Sequence, residues 1–151
     1  MRKFKFTLNT LLTVKISLEK QKSLELADQN RVILMLEIEL DALKARLKAS
    51  TNEYGEKMEK GGMSAGDIAA YSTGIRALFD RIAEQMESIR RAVKVKEKIT
   101  DELITIMGER KMLENLKEKQ YAEYLDEVRR EDAKIIDDFM STKIAGETEN
   151  G

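Results

Sequence analysis

The chain contains no proline, and its only concentrated break is Gly61-Gly62-Met63-Ser64-Ala65-Gly66. Proline and clustered glycine are the residues that most strongly force a backbone out of helical geometry. One break between two uninterrupted stretches therefore allows a long helix, a tight turn and a longer helix. Such a chain makes an all-α, antiparallel two-helix coiled-coil hairpin rather than a globular core with an enclosed pocket. It reads as a single rod-like unit over residues 1–151. The first helix is expected over about 7–60, the turn over 61–64 and the second helix over about 65–143. The tail 144–151 is expected to fray.

The residue types agree. Charged residues make up 36% of the chain and aromatics 5%, with Leu, Ile, Ala, Glu, Lys and Arg dominating, the mixture of long helices and coiled coils. The net charge of −1 sets up no global field to recruit nucleic acid. With no Cys and no His, thiolate nucleophiles, zinc–thiolate sites and the commonest general base are missing. No cofactor, metal site or enzymatic activity is expected. Carboxylate neighbours such as Glu37/Asp41 and Asp137/Asp138 read as solvated helix surface. Gly61-Gly62 lacks the Lys-Ser/Thr that a phosphate-binding loop requires. No segment reads as a signal peptide or a membrane span.

The heptads set the register. In the first helix Ile33, Leu36, Leu40, Leu43, Leu47, Ser50 and Tyr54 follow alternating spacings of three and four, the seam of a coiled coil. Extended backwards, the same frame meets Gln29, Lys22, Glu19 and Lys15, so the seam turns polar. Rim salt bridges, or a hairpin loosened so that partners can shift it, both fit that pattern. Thr7, or Asn9 if the helix starts later, is placed to cap the first turn. Ser64 with Asp67 fits a capping box for the second helix. That helix carries a seam from Ile68 and Tyr71 to Arg110 and Leu113. After Leu113 the frame stutters into Tyr121, Leu125, Val128, Ile135 and Phe139. Folded about the turn, Tyr54 is expected near Ile68 and Leu40 near Ile82, and the second helix outruns the first beyond about Asn115. An apolar stripe without an internal partner points to an external one. At the turn, Tyr54 and Tyr71 serve equally as a closing cap or as binding residues.

The opening Phe4-x-Phe6-x-Leu8-x-x-Leu11-Leu12-x-x-Lys15, the turn Gly62-Met63-Ser64-Ala65-x-x-Ile68-x-x-Tyr71 and the segment Arg110-x-x-Leu113-Glu114-x-Leu116 with Tyr121 resemble the FliJ family. That family supplies the coiled-coil stalk of the flagellar type III export apparatus. The resemblance spans nearly the whole chain and departs from the family pattern at Ser50 and Gly74. It implies a non-enzymatic stalk and adaptor, cytoplasmic and peripheral at the cytoplasmic face of the inner membrane. The implied partners are the hexameric export ATPase FliI, the export-gate protein FlhA and export chaperones, with no nucleic acid. The chain alone is expected to be a monomer. On the ATPase side it implies Phe6, Leu8, Leu12, Lys15, Arg110, Glu114 and Tyr121. On the gate side it implies Leu47, Tyr54 and Leu78, joined by Tyr71 from the turn motif. The equivalent stalk of a virulence-type secretion system, a holdase chaperone and a homo-oligomeric coiled coil are the competing readings.

Overall fold

The structure, a computed structural model, describes residues 2–149. It consists of α1, Asn9–Lys60, and α2, Ala65–Glu149, folded as an antiparallel two-helix hairpin in which α2 is the longer. No strand occurs among the described residues.

The turn is made by backbone conformation. Gly61 and Gly62 sit at φ +73° and +83°, a region that costs other L-residues about 1–2 kcal/mol each. The Gly61 amide donates to the Met58 carbonyl at 3.3 Å, closing α1. Across the turn, the Asp67 amide donates to Ser64 Oγ at 3.1 Å and the Ser64 amide to Asp67 Oδ2 at 3.4 Å. This is the reciprocal capping box expected from Ser64 and Asp67, and it satisfies donors that a helix start leaves open.

The start of α1 differs from expectation. The Leu8 carbonyl accepts from the Leu12 amide at 2.9 Å, so Leu8 occupies the capping place and brings no side-chain oxygen to it. Asn9 instead points its Oδ1 at Lys117 Nζ, 3.3 Å away. At the other end α2 stays helical through Glu149, beyond the expected end near 143. No proline or paired glycine interrupts it there. The last residues of the expected frayed tail, 150–151, lie outside the described residues.

Backbone contacts divide the hairpin into two compact units. Unit 1 pairs residues 1–19 with 105–151. Phe6 and Leu12 are its buried side chains. Residues 2–6 form no helix, and Phe4 packs edge-on against Tyr121 with ring centroids 5.1 Å apart. Part of the stripe beyond Asn115, expected to be unpartnered, is therefore covered by the segment before α1. Ile135 and Phe139 remain exposed.

Unit 2 comprises residues 20–104, with Ile33, Leu43, Leu78 and Ala92 buried. Ile33 and Leu43 follow the α1 heptad, and Leu78 and Ala92 the α2 heptad. Near the turn Tyr54 meets Tyr71, ring centroids 5.5 Å apart, a residue three positions on from Ile68. The difference is one turn along the same α2 face.

Leu78 is 7% exposed and its neighbour Phe79 is 59% exposed. Leu78→Ala is expected to cost about 2–3 kcal/mol through lost transfer energy and an unfilled cavity. Phe79→Ala is expected to change stability by less than about 0.5 kcal/mol. Urea denaturation of the two variants checks the assignment, and equal losses would contradict it.

Candidate protein-binding surfaces

The polar stretch of the α1 seam is fully partnered. Within unit 1, Lys15 pairs with Glu109. Glu19 pairs with Arg110, whose Nη1 also donates to Glu114 Oε2 at 2.8 Å. Glu19 first and Glu114 second hold the Arg110 guanidinium above its ordinary pKa. Within unit 2, Lys22 Nζ bridges Glu102 at 2.6 Å and Glu25 at 2.8 Å. Gln29 Nε2 donates to the Ala92 carbonyl at 2.8 Å, and Gln85 Nε2 to the Leu36 carbonyl at 2.9 Å. Each of these polar seam side chains has a defined mate on the other helix. The rim-pairing reading of the seam is thus observed, with Arg110 rather than a lysine facing Glu19.

Unit 1 brings together all seven residues assigned to the ATPase side, but in different environments. Phe6 and Leu12 are buried, Lys15 and Arg110 are half-buried in ion pairs, and Leu8 and Tyr121 are exposed. Two further residues join them. Phe4 contacts Tyr121 and also Tyr124, ring centroids 5.6 Å apart. Tyr124 O–H donates to the Arg2 carbonyl at 2.6 Å. The heptad did not single out Tyr124, because it stands three residues beyond Tyr121, off the stripe. The Phe-x-Phe opening was the available signal, since an extended segment with alternate aromatics needs a surface to bury them. Around this cluster Arg2, Lys3 and Lys5 share a groove with Glu123, Glu127 and Glu131.

Unit 2 brings together the four residues assigned to the gate side. Leu78 is buried, while Leu47, Tyr54 and Tyr71 are half-buried. Tyr71 O–H donates to Glu53 Oε1 at 2.9 Å and accepts from Lys57 Nζ at 2.8 Å. The Lys57 ammonium also lies 5.2 Å from the Tyr71 ring centroid, within cation–π range. The Tyr71 hydroxyl, and then Lys57, hold Glu53 below its ordinary pKa. The same hydroxyl, and then Glu53, raise Lys57. Ser50, Ala70 and Gly74 leave an open groove of about 310 Å³ between Arg46 and Leu78. A Cβ added at Gly74 would meet nothing within 4 Å, so this small residue leaves space rather than relieving a clash.

These surfaces offer aromatic rings, paired charges and shallow grooves, which is equipment for binding proteins. Among the described residues no group of acidic side chains is arranged to hold a metal ion. No helix among them is long and apolar enough to cross a membrane.

A protein-family model described as "Flagellar FliJ protein" matches residues 4–149. Comparison with curated proteins and with solved structures returns no match.

The ion pairs give the fold a defined pH response. Lys22 holds Glu102 below its ordinary pKa, and Glu102, then Glu25, raise Lys22. The Glu102 contribution is complete above the unfolded-state value near ~4.3 and is lost as pH falls through the lower folded value. The Lys22 contribution is complete below ~10.4 and is lost as pH rises through the higher folded value. Glu102→Gln should therefore flatten both limbs of a stability–pH curve, measured by urea midpoints from acid to alkali. An acid limb as steep as that of the parent chain would show that this pair contributes nothing.

Proposed function

This chain belongs to the flagellar FliJ family, and from that premise we propose that it is a non-enzymatic stalk and adaptor of flagellar protein export. Membership makes it a component of the flagellar export apparatus. The finer reading assigns the unit 1 surface to the hexameric export ATPase FliI and the unit 2 surface near the turn to the export-gate protein FlhA. Export chaperones are further partners, and the site of action is the cytoplasmic face of the inner membrane.

The observation that carries this reading is the family match over 4–149. On this reading the side chains divide by exposure. In unit 1, Leu8, Lys15, Arg110, Glu114 and Tyr121 are the groups that reach a partner. Phe6 and Leu12 act beneath them, because their burial holds the N-terminal segment against α2. In unit 2, Tyr54, Tyr71 and Leu47 face a partner, and Leu78 supports the floor of the groove beside Gly74. Rigid aromatic anchors flanked by charge suit a binding surface, because rings bury much area at small conformational cost.

The purified chain is expected to stimulate ATP hydrolysis by the export ATPase and to co-purify with it. Truncation after Asn115 removes Tyr121 and Tyr124 and should return hydrolysis to its basal rate while circular dichroism still reports a helical hairpin. Tyr121→Ala, a milder change, should weaken stimulation roughly tenfold, the loss expected for one anchor worth about 1.4 kcal/mol. Full stimulation by the truncated chain would refute the assignment of unit 1.

A further inference from the structure

Within unit 2, α1 has a second, largely apolar face that the hairpin does not use. Its seam residues Ile33, Leu36, Leu40, Leu43 and Leu47 are buried or half-buried. On the opposite side run Leu24, Asp28, Arg31, Met35, Ile38, Ala42, Ala45 and Ala49, again at alternating spacings of four and three. Met35 is 58% exposed and Ile38 54%, with Leu34 beside them at 55%. The three alanines extend the stripe as a flat strip against which another helix can approach closely. Isolated exposed leucines need no explanation, but a stripe of Leu24, Met35, Ile38 and three alanines on one heptad line, interrupted by the Asp28–Arg31 pair, does.

The charges select the occupant. Asp28, with Glu25 beside it already paired to Lys22 at 2.8 Å, marks the N-terminal end of this face, and Arg46 and Lys48 the C-terminal end. Arg31 and Asp41 lie inside those ends in the opposite order of sign. A second copy laid antiparallel places Met35 against Ile38, Arg31 against Ala42, Asp28 against Ala45 and Leu24 against Ala49. In that register Glu25 and Asp28 meet Arg46 and Lys48, and Arg31 meets Asp41, each twice by symmetry. A parallel copy would set Glu25 on Glu25 and Arg46 on Arg46. The Asp28–Arg31 pair, 3.1 Å apart, is highly exposed, so both partners are open to exchange across an interface.

We propose that the outer face of α1 between Leu24 and Ala49 is a self-association surface, on which two copies of this chain pair antiparallel about a two-fold axis between Met35 and Ile38. The seams from Ile33 to Tyr54 and from Ile68 to Leu113 are consumed inside the hairpin, and this outer face lies apart from them. A strip of about 38 Å with no aromatic anchor makes a weak, reversible dimer, with a Kd on the order of 10–500 µM.

Sedimentation velocity of the full chain from about 10 µM to about 1 mM should show the mass rising from 17.3 kDa towards twice that value. Met35→Lys with Ile38→Lys should hold it at 17.3 kDa throughout, with an unchanged helical spectrum because both side chains are exposed. The chain has no cysteine, so orientation is readable by cross-linking. Asp28→Cys mixed with Ala45→Cys should form an interchain disulfide, and Asp28→Cys alone should not. A monomer at every concentration would overturn the proposal, and so would a dimer that survives M35K/I38K. Self-cross-linking of Asp28→Cys would establish a parallel pair and overturn it as well.

Discussion

Gly61 and Gly62, at φ +73° and +83°, carry the constraint on which the hairpin depends. Nothing else from Asn9 to Glu149 departs from helix beyond the few residues of this turn. Without the two left-handed positions, the α1 and α2 stripes could be buried only against other chains. With them, the reciprocal bonds of Ser64 and Asp67 start α2 with its seam already turned towards α1. Local conformational freedom at two residues thus decides that the coiled coil is intramolecular.

The seam itself is thin. Among the described residues only Phe6, Leu12, Ile33, Leu43, Leu78 and Ala92 are buried, because a two-helix hairpin covers each core side chain from one direction. Hydrophobic burial is non-directional and would tolerate a slip by one heptad. The polar mates tolerate it less. Gln29 reaches the Ala92 carbonyl, Lys22 reaches Glu102 and Arg110 spans Glu19 and Glu114. A slip would strand each of these groups half-desolvated without a partner, which costs more than a made bond returns. Polar residues in a coiled-coil seam commonly lower stability in exchange for register, and here they stand where the leucines are sparse.

Much of this was legible in the sequence, for reasons that differ by element. The turn, the capping box and the Ile33–Tyr54 heptad were readable because glycine conformation, cap chemistry and periodicity are local properties. The helix ends were less so: α1 begins at Leu8 and Asn9 with no side-chain cap, and α2 persists to Glu149. At the start of α1 the cap candidates Thr7 and Asn9 misled, and at the end of α2 the signal was composition alone, which does not mark a boundary. The partners of the polar seam depended on a register known only to within a turn, so Arg110 could not be told from its neighbours as the mate of Glu19. The contacts of Phe4 with Tyr121 and Tyr124 were invisible to helical periodicity, because residues 2–6 are not helical.

The sparse core and the exposed apolar stripes have one physical origin. A two-helix hairpin buries one stripe per helix, and only as far as the two helices overlap. On α1 the surplus is the outer Leu24–Ala49 face, and on α2 the exposed Ile135 and Phe139 continue the seam stripe past the start of α1. A chain selected for stability alone would replace such residues with charge, since leaving them in water gains nothing and favours non-specific association. Their different chemical settings are a reason to treat them as separate surfaces. The α1 face is flanked by acids at one end and bases at the other, which favours a copy of itself. The α2 stripe has Asp132, Asp137 and Asp138 beside it, but also Arg129, Arg130, Lys134 and Lys143, so its charges are mixed rather than segregated to its two ends. On α1 it is the segregation of charge to the two ends, more than apolar area, that argues for a second copy as the occupant.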